Sequence, residues 1–172
     1  MEQHTVYLAL GTNMGNRLAN LKEALAALPP QMEVKAKSAV YETPPWGYKD
    51  QELFLNQVLR VETYLKPEQL LKHLKRLEVA LGRTESFKNG PRLIDIDILF
   101  FDDLVLYSPS LMIPHPHLHE RGFVLVPLMD IAPDFVHPVR KKSIRELVEL
   151  VNVSGIKKFG KEANQPDEDV VS

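Results

Sequence analysis

The segment Leu93–Phe101 alternates apolar and acidic residues, and it constrains the fold more than any other stretch of the sequence. Successive side chains of a β-strand point to opposite faces, so the isoleucines of this segment would share one face. Asp95 and Asp97 would project together from the other face. The alternation therefore predicts a strand with one face in an apolar core and two neighbouring carboxylates on the opposite face.

Periodic patterns in the rest of the chain predict the elements around this strand. The segment Pro67–Leu81 combines a proline at a helix start, a leucine stripe and a following Gly82. Alternation and leucine spacing elsewhere predict strands at 6–10, 34–41 and 54–64 and a helix at 16–28. The resulting order, β-α-β-β-α-β, is typical of a ferredoxin-like α+β fold, in which two helices pack on one face of an antiparallel sheet.

The remainder of the chain predicts a C-terminal extension of this core. Residues 104–158 combine loops, a short apolar run at Phe123–Leu128 and a small helix between Ile144 and Val151. Residues 159–172 contain few apolar side chains and are expected to form a flexible tail. At 172 residues, the chain is expected to form a single domain over residues 1–158.

Charge and composition argue against several classes of protein. Lys and Arg number 21 and Asp and Glu 23, a net charge of −2, so the chain lacks the basic excess typical of nucleic-acid binding. It contains no cysteine, which excludes disulfides and thiolate zinc sites. No apolar run reaches the ~20 residues of a membrane span, and the first residues lack the pattern of a secretory leader. We therefore expect a cytoplasmic monomer that binds neither nucleic acid nor membranes.

Asp95 and Asp97 are the sharpest indication of function. Two carboxylates on one strand face repel each other, and a cation such as Mg²⁺ relieves this by binding carboxylates, waters and phosphate oxygens together. The alternative is an ordinary half-exposed strand face with two solvated acids. Basic side chains that could hold a polyphosphate favour the metal interpretation, and they occur at Arg83, Lys88, Arg92 and Arg121.

A longer motif gives these residues a family resemblance. The segment Lys88–Leu99 reads as a basic residue, then Gly-Pro-Arg, then Asp-x-Asp and two aliphatic residues. It resembles the signature of the 6-hydroxymethyl-7,8-dihydropterin pyrophosphokinase family. The resemblance runs from about residue 7 to 138, through Gly11-Thr12-Asn13, Tyr41-x-Thr43-Pro44-Pro45, Phe54-Leu55-Asn56, Glu78, Gly82-Arg83, Pro114-His115 and Arg121-Gly122-Phe123.

The resemblance implies an enzyme of folate biosynthesis that transfers diphosphate from ATP to the hydroxymethyl group of 6-hydroxymethyl-7,8-dihydropterin and releases AMP. It implies that Asp95 and Asp97 bind two Mg²⁺ ions and form the catalytic set together with Arg83 and Arg92. The implied ATP contacts are Glu78, Arg83, Lys88, Arg92, Ile98, His115 and Arg121. The implied pterin site consists of Thr43, Pro45, Phe54, Asn56 and Phe123.

In this resemblance Phe54 and Phe123 sandwich the pterin ring, as aromatic stacking favours, although each could instead be an ordinary core residue. Asn56 offers the ring edge a donor and an acceptor. The hydroxymethyl oxygen would attack the β-phosphorus of ATP in line, with positioning and electrostatics supplying most of the rate and no general base assigned. Closure of the loops at 83–90 and 44–50 over the site is a further expectation, which hydrogen exchange with and without ligands would test.

Three other interpretations are open at this point. His115, His117 and His119 alternate and could bind zinc, although prolines interrupt them. A ferredoxin-like fold could also serve an RNA-binding module, which the charge balance disfavours. A two-metal phosphodiesterase or nucleotidyl transferase would use the same aspartates without an aromatic slot. AMP release that depends on a pterin alcohol distinguishes among these interpretations.

Overall fold

The computed structural model of the chain describes residues 2–45, 50–82 and 93–160. None of the described helices has the length and apolar character needed to cross a membrane. A short 3-10 turn, Leu118–Glu120, precedes the third helix. The helices and strands are, in chain order, β1 (His4–Thr12), α1 (Arg17–Ala27), β2 (Met32–Lys37), β3 (Tyr41–Thr43), β4 (Phe54–Thr63), α2 (Pro67–Ala80), β5 (Asp95–Phe101), β6 (Leu106–Tyr107), β7 (Met112–Ile113), α3 (Gly122–Ile131), α4 (Ile144–Val148) and β8 (Lys157–Lys158).

An antiparallel sheet forms the centre of the described structure, with the strand order β5-β1-β4-β3-β8. β1 lies between β4 and β5 and pairs with both. β2 and β3 follow one another along the far side of β4. The predicted mixed α/β architecture with an antiparallel sheet is therefore confirmed.

The strand expected over residues 34–41 is divided into β2 and β3 by a bend at Ser38. The backbone N–H of Ser38 donates to the carbonyl of Val58 at 2.9 Å. In return, the Ser38 hydroxyl rather than a backbone carbonyl accepts the N–H of Val58, also at 2.9 Å. A side chain thus replaces one rung of the ladder, which a period of two in the sequence does not reveal.

The two faces of the sheet carry separate apolar clusters. On one face, Leu21 of α1 and Leu74 of α2 pack with the isoleucines of β5. On the other face, Tyr7 and Phe100 pack with leucines of α3 and α4. The first cluster accounts for the buried isoleucine face that the alternation of β5 predicts. The second cluster leaves part of its face to the candidate site.

α3 contains the apolar run Phe123–Leu128, for which no helix was predicted. Its buried residues lie on nearly every side of the helix, as expected for a helix enclosed in a core. Such a segment lacks amphipathic periodicity, and Pro127 inside it argues against a helix at the sequence level. Tertiary burial therefore decides the conformation of this segment.

α2 begins and ends where the sequence predicts. Pro67 occupies its first turn, and the Gln69 side chain accepts the N–H of Lys66 at 2.8 Å. Gly82 follows the last turn with a φ of 94°, a left-handed conformation that favours glycine. The helix carries Glu78, whose side chain is buried, to the edge of β5.

β8 returns the end of the described chain to the sheet, where it pairs with Tyr41 and Glu42. The N–H of Phe159 donates to the carbonyl of Val40 at 2.8 Å, and its ring packs against the first cluster. The sequence placed Phe159 in the flexible tail because the segment as a whole is poor in apolar residues. In the structure, however, Phe159 is packed against the core, so the expectation of a flexible tail is wrong for this residue. Residues 161–172 of the expected tail lie outside the described residues.

Candidate active site

β5 carries Asp95 and Asp97 on the face of the sheet away from α1 and α2. In the register of the sheet, Asp95 lies opposite Gly11 of β1 and Asp97 lies opposite Ala9. These β1 residues have little or no side chain, so they leave space beside the carboxylates. Both aspartates are half-buried. The strand thus presents the two chemically different faces that its sequence predicts.

A cavity of about 250 Å³ lies against these carboxylates. Eight of its fourteen lining residues belong to the site predicted from the sequence, namely Thr43, Phe54, Asn56, Asp95, Asp97, His115, Arg121 and Phe123. The six others are Ala9, Leu10, Gly11, Pro44, Leu99 and Val124. Three of these six, Gly11, Pro44 and Leu99, belong to the motifs that carry the family resemblance, which is the signal that could have identified them. The other three are ordinary apolar residues whose place in the lining depends on tertiary packing.

One wall of the cavity is built by β3 and β4. The side-chain amide of Asn56 donates a hydrogen bond to the Thr43 hydroxyl at 2.5 Å. A Cβ atom on Gly11 would lie 3.0 Å from Asn56 Oδ1, so the glycine leaves room for this amide. Pro44 lines the cavity, whereas Pro45, the residue named from the sequence, is buried next to it.

The start of α3 builds another wall of the cavity. Phe123 on α3 and Phe54 on β4 both line the cavity. The Arg121 guanidinium lies 5.6 Å from the centroid of the Phe123 ring, within the range of a cation–π contact. Burial lowers the pKa of Arg121, and the negative charges of Asp97 and neighbouring carboxylates oppose this effect. The cation and the β5 carboxylates therefore interact electrostatically.

His115 contributes a neutral imidazole to the cavity. Burial lowers its pKa to about 4, and the positive charges of Arg121 and His117 act in the same direction. Its Nδ1 accepts the backbone N–H of His117 at 3.2 Å, so the proton of the neutral ring lies on Nε2. Nε2–H is therefore a donor that can serve an oxygen atom of a ligand.

Two residues predicted to contact ATP, Glu78 and Ile98, are absent from the described cavity lining. The Glu78 carboxylate accepts the backbone N–H of Ile96 at 2.7 Å. Because β5 is the end strand of the described sheet, Glu78 satisfies a donor on its outer edge. The side chain of Ile98 packs in the first apolar cluster.

The remaining predicted basic residues, Arg83, Lys88 and Arg92, lie outside the described residues. The same holds for the expected loop closure at 83–90 and for residues 46–49 of the second expected closure. Within the described part of the chain, the predicted basic residues that line the cavity are Arg121 and His115.

The alternating histidines have separate partners. His117 Nδ1 lies 3.1 Å from a carboxylate oxygen of Glu120, and His119 Nε2 lies 2.7 Å from a guanidinium nitrogen of Arg140. Within residues 2–45, 50–82 and 93–160, no three His, Cys, Asp or Glu side chains group closely enough to hold a metal ion. That part of the structure gives the zinc interpretation no ligand set.

Known proteins similar to this chain include two bacterial enzymes. Residues 7–133 match the model of the 7,8-dihydro-6-hydroxymethylpterin-pyrophosphokinase family. The chain is 44% identical over 142 residues to the 2-amino-4-hydroxy-6-hydroxymethyldihydropteridine pyrophosphokinase of Aquifex aeolicus, which covers 83% of this chain and 89% of that protein. It is 42% identical over 154 residues to the protein of the same name from Methylorubrum extorquens, with 88% and 96% covered.

Two longer proteins are also similar. The chain is 46% identical over 133 residues to the folic acid synthesis protein FOL1 of Dictyostelium discoideum, which covers 77% of this chain and 20% of that protein. A crystal structure of wild-type Plasmodium falciparum HPPK-DHPS has a TM-score of 0.76 at 18% identity, with 91% of this chain and 48% of that chain covered. The chain thus spans about a fifth of the first protein and about half of the second. At this identity the second likeness shows the fold alone.

The matched region covers most of the chain, and the two bacterial relatives are matched over almost their whole length. The chain is therefore a pyrophosphokinase, an ATP-dependent diphosphotransferase. It belongs to the 7,8-dihydro-6-hydroxymethylpterin-pyrophosphokinase family, and its activity is part of folate biosynthesis. The family uses ATP, generally with Mg²⁺. These findings confirm the resemblance and the enzyme class that the sequence predicts.

Proposed function

We propose that this cavity transfers diphosphate from ATP to the hydroxymethyl group of 6-hydroxymethyl-7,8-dihydropterin and releases AMP. The observation that carries the proposal is that two carboxylates and two phenylalanines line one cavity of about 250 Å³. Direct transfer between two substrates requires a phosphate-binding end and a ring-binding end side by side. A phosphodiesterase would use the carboxylates and need no aromatic slot.

The pterin would lie between Phe54 and Phe123, a space that we call the ring slot. Aromatic rings favour offset stacking of this kind over exposure to water. Asn56, held by its hydrogen bond to Thr43, would present its amide to the polar edge of the pterin. Pro44 lines this end of the cavity, and Pro45, the next residue in the chain, is buried.

Asp95 and Asp97 would hold two Mg²⁺ ions at the other end. This donor set fits the metal, because hard carboxylate oxygens lie on one strand face beside Gly11 and Ala9, which leave room for other oxygen ligands. When bound, the metal would neutralise charge on the triphosphate oxygens. Arg121 and the Nε2–H of His115 would donate to phosphate oxygens. Further ATP contacts, proposed from the family resemblance, are Glu78, Arg83, Lys88, Arg92 and Ile98.

In this proposal the residues of the cavity act by binding and orientation. The bond from the β-phosphorus to the oxygen that bridges it to the α-phosphorus breaks, and AMP leaves with that oxygen. A bond from the β-phosphorus to the hydroxymethyl oxygen forms, and the hydroxyl proton is released to water. The ring slot places the attacking oxygen, and Arg121 and His115 stabilise negative charge on the transferred group. Positioning and electrostatics of this kind supply most of the rate in phosphoryl-group transfer.

We also propose that the core is ferredoxin-like, with residues 104–158 as its C-terminal extension. The strand order β5-β1-β4-β3 and the packing of α1 and α2 in one apolar cluster support this assignment. A single domain over residues 1–158, a monomeric state and a cytoplasmic location stay predictions.

The test is AMP release from Mg²⁺-ATP with and without 6-hydroxymethyl-7,8-dihydropterin. Asp95→Asn and Asp97→Asn keep the size of the side chains and remove the charge, so each should abolish pterin-dependent AMP release in a folded protein. Asp103→Asn, at an exposed position two residues beyond β5, is the matched control and should retain activity. AMP release that is equal without pterin, or that persists in both β5 variants, would overturn the proposal.

A further inference from the structure

We propose that residues 152–159, which we call the C-terminal strap, are positioning residues that set the width of the ring slot. The proposal rests on the assignment of that slot to the pterin. The family match ends at residue 133, so the strap lies beyond the matched region. The described cavity lining contains no strap residue, so the strap would act through the walls and not on the substrate itself.

The first contact joins the strap to the α3 wall. Gly122 lies between Arg121 and Phe123, which both line the cavity. A Cβ atom on Gly122 would lie 2.8 Å from the carbonyl oxygen of Asn152 and 2.9 Å from Cδ1 of Ile156. Real Cβ atoms do not approach other atoms so closely, so the strap is seated against bare backbone at the start of α3.

The second contact joins the strap to the β3 wall. A Cβ atom on Gly155 would lie 2.9 Å from Cγ of Pro44, the proline that lines the cavity after Thr43. Gly155 has a φ of 82°, which favours glycine for a second reason. Adjacent strap residues, Gly155 and Ile156, therefore contact two walls of the cavity.

The end of the strap is fixed to the sheet and to α1. β8 pairs with Tyr41 and Glu42 of β3. The Arg17 guanidinium lies 5.3 Å from the Phe159 ring centroid, and its Nη1 lies 2.8 Å from a carboxylate oxygen of Glu42. Because the strap is anchored beyond both wall contacts, it can hold the walls at a constant separation.

A stacked ring needs such constancy. When a gap of about 0.5–1 Å opens at a face of the ring, roughly a quarter to a half of the van der Waals attraction at that face is lost. A wall that moves also misplaces the attacking oxygen, which lowers the rate steeply. Loosening the strap should therefore weaken pterin use more than ATP use. Both strap contacts adjoin the ring slot, through Pro44 and Phe123, whereas of the proposed phosphate contacts in the cavity only Arg121 adjoins one of them.

The experiment compares pairs of variants in steady-state AMP release, with 6-hydroxymethyl-7,8-dihydropterin and Mg²⁺-ATP varied in turn. Ile156→Val removes the Cδ1 atom that contacts Gly122, and Ile156→Ala shortens the side chain further. Leu150→Ala shortens an exposed apolar residue just before the strap. Gly155 and Gly160 both have left-handed backbone conformations, with φ values of 82° and 84°, so an alanine strains the backbone equally at either position. Gly155→Ala also places a Cβ atom against Pro44, and Gly160→Ala is therefore its control.

We expect Gly155→Ala to raise the KM for the pterin by about tenfold, with the KM for ATP within about twofold of wild type. Ile156→Ala should raise the KM for the pterin by a similar factor and the KM for ATP by less, because Gly122 adjoins Arg121 as well as Phe123. Ile156→Val should lie between Ile156→Ala and wild type, and Leu150→Ala and Gly160→Ala should stay close to wild type in both KM values. Equal KM values in all variants, or parallel increases in both KM values, would overturn the role of the strap while wild-type turnover still supports the proposed function. A wild-type protein without pterin-dependent AMP release would overturn the proposed function and this inference with it. If Ile156→Ala does not fold, the glycine pair decides the question alone.

Discussion

The Tyr41 hydroxyl donates a hydrogen bond to the Asp130 carboxylate, at 3.0 Å from Oδ1 and 2.9 Å from Oδ2. The same carboxylate accepts the backbone N–H of Ala39 at 3.1 Å. Tyr41 begins β3 and Asp130 lies in the last turn of α3, so the bond joins two elements that carry walls of the cavity. Burial, followed by the hydrogen bond and charge of Asp130, raises the pKa of Tyr41, so its hydroxyl stays a donor.

Tyr41→Phe should lower the free energy of unfolding by about 1.5–3 kcal/mol, because a hydrogen bond to a charged group is lost. Urea denaturation of Tyr41→Phe, Asp130→Asn and the double variant measures the coupling between the two side chains. The loss in the double variant should be clearly smaller than the sum of the single losses. Strictly additive losses would show that the bond contributes little in solution.

Gly11→Ala should raise the KM for the pterin by about tenfold, and the KM for ATP by less, since Gly11 also lies opposite Asp95. The reason is the 3.0 Å approach of the added Cβ to Asn56 Oδ1, which would turn the amide away from its position at Thr43. Steady-state kinetics in an Asn56→Ala background provides the control, since the added methyl group then has no amide to displace. The same rise in both backgrounds would contradict this explanation.

Glu78→Ala should lower the free energy of unfolding by about 1–3 kcal/mol, because it leaves the N–H of Ile96 at the sheet edge without its acceptor. Glu78→Gln keeps an acceptor oxygen and should lose less. Chemical denaturation checks both, with Glu23→Ala at an exposed position of α1 as the control. If Glu78→Gln instead keeps full stability and raises the KM for ATP, the carboxylate acts on the nucleotide, as the family resemblance implies.

The stability of the fold should decrease as the pH falls from about 6.5 towards 4, partly through His137. Burial lowers the pKa of this histidine from 6.5 to about 4, and the positive charges of His119 and Arg140 add to the effect. In that pH range the unfolded chain binds the proton and the folded chain does not, so acid favours unfolding, and the full stability is present above pH 6.5. The Nδ1 atom of His137 also accepts the N–H groups of Val139 and Arg140 at 3.1 and 3.0 Å.

His137→Asn should flatten this pH dependence, because its Oδ1 can accept the same N–H groups without titrating. Urea denaturation at pH 7.5, 6 and 5 measures the change in slope. Equal slopes for His137→Asn and wild type would assign the pH dependence to other groups, including His115.

Local sequence patterns predict the strand and the helix beside the site, because the residues that determine each of these elements lie within one segment of the chain. The alternation of β5 predicts both its buried isoleucines and the shared face of Asp95 and Asp97. The start and stop residues of α2 predict its bounds to within a residue. The family resemblance adds the residues from distant segments, and eight of them line one cavity.

The features that the sequence does not predict depend on contacts between segments. α3 has no amphipathic pattern because the core surrounds it. The bend at Ser38 depends on a side chain reaching Val58, and the burial of Phe159 depends on where β8 joins the sheet. The sequence around Gly122 and Gly155 does not indicate which residues pack against these glycines. In the structure they are Ile156 and Pro44, respectively.

β5 uses one strand for two purposes, since residues at 94, 96 and 98 fill the core and residues at 95 and 97 face the cavity. Sliding this strand by one residue against β1 would exchange the two sets, putting the carboxylates into the apolar core and the isoleucines against the cavity. A molecule with this slipped register would be unstable and inactive. The rate of turnover per mole of purified chain is therefore proportional to the fraction of molecules with the correct register, and it can serve as an assay of refolding yield.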